Sequence, residues 1–401
     1  MSTADLDFDE EQAIRRLLGF LAVEGVTGHE RAIGKAVVRG LVEAGVPRRA
    51  MQFDSANEQI PLPTETGNLV VRLRGTRPGP RRLFLTHLDT VPLCRGAEPV
   101  RKNGRIVAAG KTALGGDNRT GVACLVTLAA TLLERRLPHP PLTLLFTVRE
   151  ESGLWGARYV DQSRLGDPVE AYNADGSSPA EITTGAVGAE RWEAEITGKA
   201  AHAGAHPERG ISATAVAALA LADVVGGGWF GKIVQNGHEG TSNVGAFGGR
   251  NGSSAGDATN VVTDYVHVRG EARSHDARFV RKIVGVYKEA FRAAAERVTN
   301  DERKRARIKF RSRLDYHPFQ IRPDAPVVRH ALDAARWAGI EATTRVTNGG
   351  LDANWLVRHG IPTITFGAGQ RNVHTTDEYI DLSDFLKSCR LALALATKEF
   401  E

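Results

Sequence analysis

Cysteine is scarce in this chain. Cys94, Cys124 and Cys389 are the only three in 401 residues, and their spacing fits no cysteine-based metal motif. An odd count argues against a disulfide framework. Aromatic residues make up only 6%, and they do not alternate with basic ones as in a nucleic-acid module. No apolar run reaches the roughly 20 residues that a membrane helix needs. The opening MSTADLDFDEEQ is acidic and lacks the apolar core of a signal peptide. These absences lead us to expect a reduced, cytoplasmic protein that binds neither nucleic acid nor membrane. The formal net charge of +5 does not change this, because the basic residues are scattered. Their densest cluster, DERKRARIKFR around Lys304, reads as a solvated helix end or strand edge.

What is present is ordinary globular material, with 42% hydrophobic and 25% charged residues. A chain of this length exceeds one usual core, so two domains are expected. EEQAIRRLLGFLAVEG and ERAIGKAVVRGLVEAG have helical apolar spacing. NLVVRLRG, RRLFLTHLDT, PLTLLFTVREE and VEAYNADGSS read as strands, and GGDNRTGVACLVTLAATLLERR as a loop opening a long helix. Strands alternating with helices predict an α/β domain with a mixed, largely parallel sheet flanked by helices. Near Gly188 the pattern changes to ERWEAEITGKA, ISATAVAALALADVV, TSNVGAFGG, NVVTDYVHVRGEARS, a long amphipathic helix from His275, and RIKFRSRLDYHPF. That order is βαββαβ, a ferredoxin-like unit. After Ile321 the α/β pattern resumes and the chain closes on the helix DLSDFLKSCRLALALATKEF. The expected architecture is a discontinuous domain, residues 1–187 and 321–401, interrupted by an inserted domain at 188–320.

Metal-ligand residue types fall at strand tips. His87 and Asp89 follow RRLFL, Glu150 and Glu151 follow LTLLFTV, Asp175 follows VEAYNA, and His374 lies in the loop after IPTITF. Asp117 stands at the mouth of the long helix, behind Gly115 and Gly116. Ligands of open α/β sheets bind beyond the carboxyl ends of the strands, so these residues should share one rim. Imidazole with carboxylate suits zinc, cobalt or manganese. Five ligands exceed what one catalytic zinc takes, and suit two cations about 3.5–4 Å apart that share a carboxylate. Asp117 fits the shared position, although Asp117-Asn118 could instead cap the helix. The Glu pair can divide labour, since adjacent side chains of extended chain point to opposite faces. One would be a ligand and the other a general base.

With these motifs in order, the sequence resembles the di-zinc metallopeptidase family of peptidase T, the glutamate carboxypeptidases and aminoacylase. The likeness runs through THLDTVP, GGDNRTG, REESGLWGA, YNADGSSP, GKAAHAGAHPERGISA, NGGLDANW and VHTTDEYI, and is strongest to peptidase T-like tripeptidases. The resemblance implies that Asp117 bridges two divalent ions, most often Zn2+, with Co2+ or Mn2+ as alternatives. His87 and Asp175 would hold one ion, Glu151 and His374 the other. Asp89 would orient His87, and Glu150 would be the base for a water between the ions. The inserted domain would be a lid, and a surface for homodimer formation. Its His202 would steady the oxyanion, with Asn260 and Arg273 engaging substrate, and Gly349 and Gly350 would line the substrate side. The implied activity is hydrolysis of short peptides from one end. A carboxypeptidase or an N-acyl-amino-acid amidohydrolase shares the same ligands and stays open. A non-catalytic metal- or peptide-binding protein would have no use for the extra base. Ser177-Ser178 departs from peptidase T proper, which prefers glycine after Asp-Gly, and this leaves the preferred peptide length open.

Overall fold

The computed structural model describes residues 6–400. Contacts divide the chain into two compact units, one running up to Ala186 and resuming at Phe319, the other spanning Val187–Pro318. Phe319–Gln320 pairs antiparallel with Glu181–Ala186, which places those two residues in the first unit.

The first unit is built on a nine-stranded sheet among the described residues. Its order is Met51–Phe53, Leu69–Leu73, Leu142–Thr147, Arg82–His87, Glu170–Ala174, Thr363–Phe366, Glu181–Ala186 and Phe319–Gln320, with Thr343–Thr347 also beside Glu181–Ala186. The four strands beginning at Leu142, Arg82, Glu170 and Thr363 run parallel to one another, and the flanking pairs are mostly antiparallel. Leu142–Thr147, Arg82–His87 and Glu170–Ala174 are buried at every position. They read as continuous runs because helices cover both faces of a parallel sheet. The helix Gly116–Glu134 is buried almost all round, packing on Glu10–Leu21 and Leu382–Thr397. The parallel strands end at one rim, at His87, Thr147, Ala174 and Phe366.

A second, four-stranded sheet in this unit was not legible as a motif. It is ordered Gln370–Arg371, Tyr379–Asp381, Arg105–Ala108 and Pro99–Lys102. Its first pair is antiparallel, so residues 372–378, His374 among them, form a hairpin loop.

The inserted unit carries a five-stranded antiparallel sheet, ordered Gly231–Gln235, His238–Gly248, Tyr265–Ser274, Gly188–Thr197 and Arg307–Tyr316. Helices Ala213–Gly226 and Ala277–Arg297 pack on one face over Trp192, Ala194, Ile196, Val266 and Val268. The chain order is thus β-α-β-β-β-α-β rather than βαββαβ. The added strand, GKIVQ, joins its neighbour through Asn236 and Gly237, both left-handed at φ 52° and 78°. Asn-Gly is the pair that a tight hairpin demands, so the signal was there to be read. The strand expected from Asn260 begins at Tyr265. The preceding residues pair elsewhere, with Val262 N donating to Ala201 O at 2.9 Å and Val261 bridging to His202.

Candidate metal centre

All five expected ligands are joined by contacts within ion-pair distance at the strand rim. His87 Nε2 lies 3.1 Å from Asp117 Oδ1 and 3.8 Å from Asp175 Oδ1. His374 Nε2 lies 3.3 Å from Asp117 Oδ2 and 2.9 Å from Glu151 Oε1. Asp117 therefore faces both histidines, one with each oxygen. Ligand atoms of His87, Asp117 and Glu151 fall within 4.8 Å of one another. His87 is buried and His374 exposed, so the cluster opens to solvent on the His374 side.

The backbone explains why these side chains converge. His87 is the last residue of its strand. Asp117 and Asn118 take non-helical angles inside the first turn of Gly116–Glu134, and Gly115 precedes them at φ 81°. Asn118, not Asp117, does the capping, since its Oδ1 accepts from Gly121 N at 3.0 Å. That leaves the Asp117 carboxylate for the rim. His87 Nδ1 donates to the main-chain carbonyl of Asp89 at 3.0 Å, closer than the Asp89 carboxylate at 3.5 Å. A carbonyl can only accept, so Nδ1 carries a proton and Nε2 is the atom offered to the rim.

Electrostatics separates the site from the rest of the protein. Among the described residues, none of Asp117, Glu150, Glu151 and Asp175 pairs with a lysine or arginine. Burial raises Glu150 well above the ordinary glutamate value; His87 pulls it down and Asp175 adds to the rise. Burial, then the charge of Asp117, raises Glu151 to about 7 and Asp175 to about 8. Burial disfavours an imidazolium at His87, but hydrogen bonds to Asp117 and Asp89 outweigh it and lift His87 well above its usual range. Hydrogen bonds to Asp117 and Glu151 raise His374 to about 10. Burial would raise Asp117 too, yet hydrogen bonds from His374 and His87 hold it below the aspartate range. Protons thus stand where cations would. Two imidazoles and several carboxylates short of positive charge fit divalent zinc, cobalt or manganese.

Several supporting contacts were missing from the sequence reading. The Asp89 carboxylate accepts from the amides of Glu150 and Glu151 at 3.0 and 3.1 Å, fixing the turn that carries both acids. Glu30, fully buried, accepts from Arg149 N at 3.1 Å in the same turn. Gln370 Nε2 donates to Asp175 Oδ1 at 3.5 Å, and Gln370 Oε1 accepts from Thr120 Oγ1 at 2.7 Å. Asp352, 1% exposed, takes the Thr147 hydroxyl, and burial raises it to about 6. Gly349 and Gly350 lie half-buried just before it, with Gly349 N donating to Thr347 Oγ1 at 3.2 Å. The motif NGGLDANW held Asp352, but nothing local marked its carboxylate as facing the rim.

In the inserted unit, His202 and Asn260 are neighbours. Ala203 N donates to Asn260 O at 2.8 Å. His202 is exposed, and its Nδ1 accepts from Gly204 N and Ala205 N at 3.1 and 3.0 Å. Two amides on Nδ1 fix the proton on Nε2, leaving an outward donor. Arg273 forks onto Glu271, at 2.9 and 3.2 Å, and not onto the nearby Asp276, which caps the helix Ala277–Arg297.

The sequence matches Peptidase family M20/M25/M40 over residues 83–398. It is 31% identical to the uncharacterized protein YqjE of Bacillus subtilis over 389 residues, covering 96% of this chain and 98% of YqjE. Among solved structures, aminopeptidase PepT from Bacillus cereus superposes with a TM-score of 0.81 at 31% identity, covering 97% of this chain and 98% of that one. A tripeptidase from Staphylococcus aureus superposes with a TM-score of 0.85 at 28% identity, with the same coverage. This chain belongs to peptidase family M20/M25/M40 and is an enzyme of that metallopeptidase family.

Proposed function

We propose that this enzyme is a two-metal exopeptidase that releases residues from the amino end of short peptides, in the manner of a tripeptidase. The observation that carries the reading is the meeting of His87, Asp117, His374 and Glu151, with Glu150 beside them on the same turn. His87 and Asp175 would hold one cation, Glu151 and His374 the other, with Asp117 between them. Zn2+ suits the donors best, and Co2+ or Mn2+ would substitute. When bound, such a pair lowers the pKa of a water and polarises the scissile carbonyl.

This chain's residues do the rest. Glu150 takes the proton from the attacking water and returns it to the leaving amine. Burial raises its pKa above the ordinary glutamate value, the direction that makes a carboxylate a stronger base. Asp89 holds the Glu150–Glu151 turn by its two amides, and orients His87 through its carbonyl. We assign His202 to the oxyanion, because its Nε2–H is a fixed donor. Asn260, Arg273, Gly349 and Gly350 are assigned to the substrate. The Arg273 fork holds Glu271 through Nε and Nη2, and with five N–H donors the guanidinium can take a substrate carboxylate as well. Homodimer formation through the inserted unit and a cytoplasmic location belong to the same proposal. The similarity to a solved tripeptidase and to aminopeptidase PepT supports it.

The test is a rate survey on dipeptides, tripeptides, end-blocked peptides and N-acetyl amino acids, with Zn2+, Co2+ or Mn2+ added back. Free-amino tripeptides should be cut fastest. Faster hydrolysis of N-acetyl amino acids would replace this reading with an amidohydrolase.

A further inference from the structure

One carboxylate near the centre is neither ligand nor base. Glu378 is 3% exposed and lies in the hairpin loop four positions beyond His374. Its Oε2 accepts from the amides of Leu114 and Gly115 at 2.7 and 2.8 Å. Its Oε1 accepts from the amide of Asp117 at 3.1 Å. Both oxygens are thus spent on the turn that delivers Asp117. These amides open a helix of 19 residues, where an anion is favoured. Among the described residues Glu378 pairs with no lysine or arginine, so the amides are what stabilise its charge.

The contact links two remote stretches of chain, since Gly115 and Glu378 are 263 residues apart. It also explains a glycine. A Cβ at Gly116 would stand 3.0 Å from Ile380 Cγ1 and 3.1 Å from Glu378 Oε1. A Cβ there would push the carboxylate or Ile380 back by a few tenths of an ångström. His374 and Asp117, the two groups carried by the linked loops, approach to 3.3 Å.

We propose that Glu378 is the positioning residue for Asp117: by holding the Leu114–Asp117 amides it sets the distance between the Asp117 and His374 side chains. The inference rests on the metal-centre reading above. Carboxylate partners that orient ligands in this way are worth about 10–100-fold in metal affinity.

Glu378→Gln keeps the shape but turns one acceptor into a donor facing an amide. Titration of the metal-free protein with Co2+, followed by calorimetry and visible absorption, should show binding about 10–100-fold weaker than wild type. In the metal-free variant, hydrogen exchange at Leu114, Gly115 and Asp117 should speed up, with the later turns of the helix unchanged. Peptide kcat should fall with little change in KM. Co2+ affinity and absorption equal to wild type would overturn the inference. Should Glu378→Gln not fold, Gly116→Ala strains the same contact from the other side; weakened Co2+ binding supports the inference and wild-type binding overturns it. Asp117→Asn separates the two readings. If it binds Co2+ like wild type, the metal centre itself is wrong. If it loses Co2+ while Glu378→Gln does not, only the role of Glu378 is wrong.

Discussion

At the rim of the nine-stranded sheet, Glu150, Glu151 and Asp175 sit buried or half-buried and, among the described residues, form no ion pair with an arginine or lysine. On the five-stranded sheet, four acids each have one. Glu193 lies 3.2 Å from Arg311, Glu195 3.4 Å from Lys309, Glu271 2.9 Å from Arg273, and Asp315 2.7 Å from Arg191. The register places Lys309 opposite Glu195 and Arg311 opposite Glu193 on neighbouring strands, while Arg273 and Glu271 share one strand. Both regions are rich in charge, yet only one is balanced from within. An unbalanced buried cluster is unfavourable unless something external neutralises it. The fold tolerates the imbalance where backbone amides and histidines hold the acids in place for a cation. The difference shows which charged cluster is a site and which is a solvated face.

The largest effect expected from breaking this contrast is on turnover. Glu150→Gln should cut kcat by about 10²–10⁴-fold while metal content stays at the wild-type level. Steady-state kinetics with metal analysis of the same sample checks both halves. Unchanged turnover would remove Glu150 from the chemistry.

Next comes the cost of leaving the imbalance unneutralised. Glu151 and Asp175 have folded-state values raised to about 7 and about 8, so the metal-free fold prefers them protonated. That stability is complete below the ordinary carboxylate range and drains as pH rises through those values. His87 is raised too, and His374 is raised to about 10, so both act in the same direction. Asp117 acts oppositely, but its contribution is complete once pH exceeds the ordinary aspartate range. The melting temperature of the chelated protein should therefore fall between about pH 4 and about pH 10. The gap between metal-loaded and metal-free protein should widen over the same window. A gap independent of pH would contradict the uncompensated cluster.

Smaller effects belong to the balanced face. Asp315 is 3% exposed and holds both Arg191 and Arg313. Asp315→Asn should destabilise by about 1–3 kcal/mol in denaturant unfolding and leave kcat near wild type. Glu193→Gln, at a more exposed pair, should change stability by less than about 1 kcal/mol. An effect on kcat from Glu193→Gln as large as that of Glu150→Gln would erase the distinction between the two regions.

The sequence placed the proposed ligands together for a physical reason. His87, Asp175 and the Glu pair follow buried apolar runs, and in a parallel sheet the ends of such runs share one rim. The main-chain contacts that hold them were not legible, and Asp89 was read for His87 rather than for the turn it fixes. Glu30, Asp89 and Glu378 act by accepting main-chain amides, and an amide leaves no trace in a sequence. Asn118 was weighed only together with Asp117 as a cap, although the two residues divide the tasks of capping and facing the rim. The strand Gly231–Gln235 could have been found from its Asn236-Gly237 turn. The four-stranded sheet could not, because its strands are two to four residues long and remote in sequence.

The central claim is that the rim becomes an active site only when cations supply the charge the fold withholds. Its most direct test is the rate of tripeptide hydrolysis as Zn2+ or Co2+ is titrated into fully chelated protein. Activity should be absent at the start, rise with added ions, and level off at two ions per chain. Hydrolysis that survives complete chelation would contradict the account.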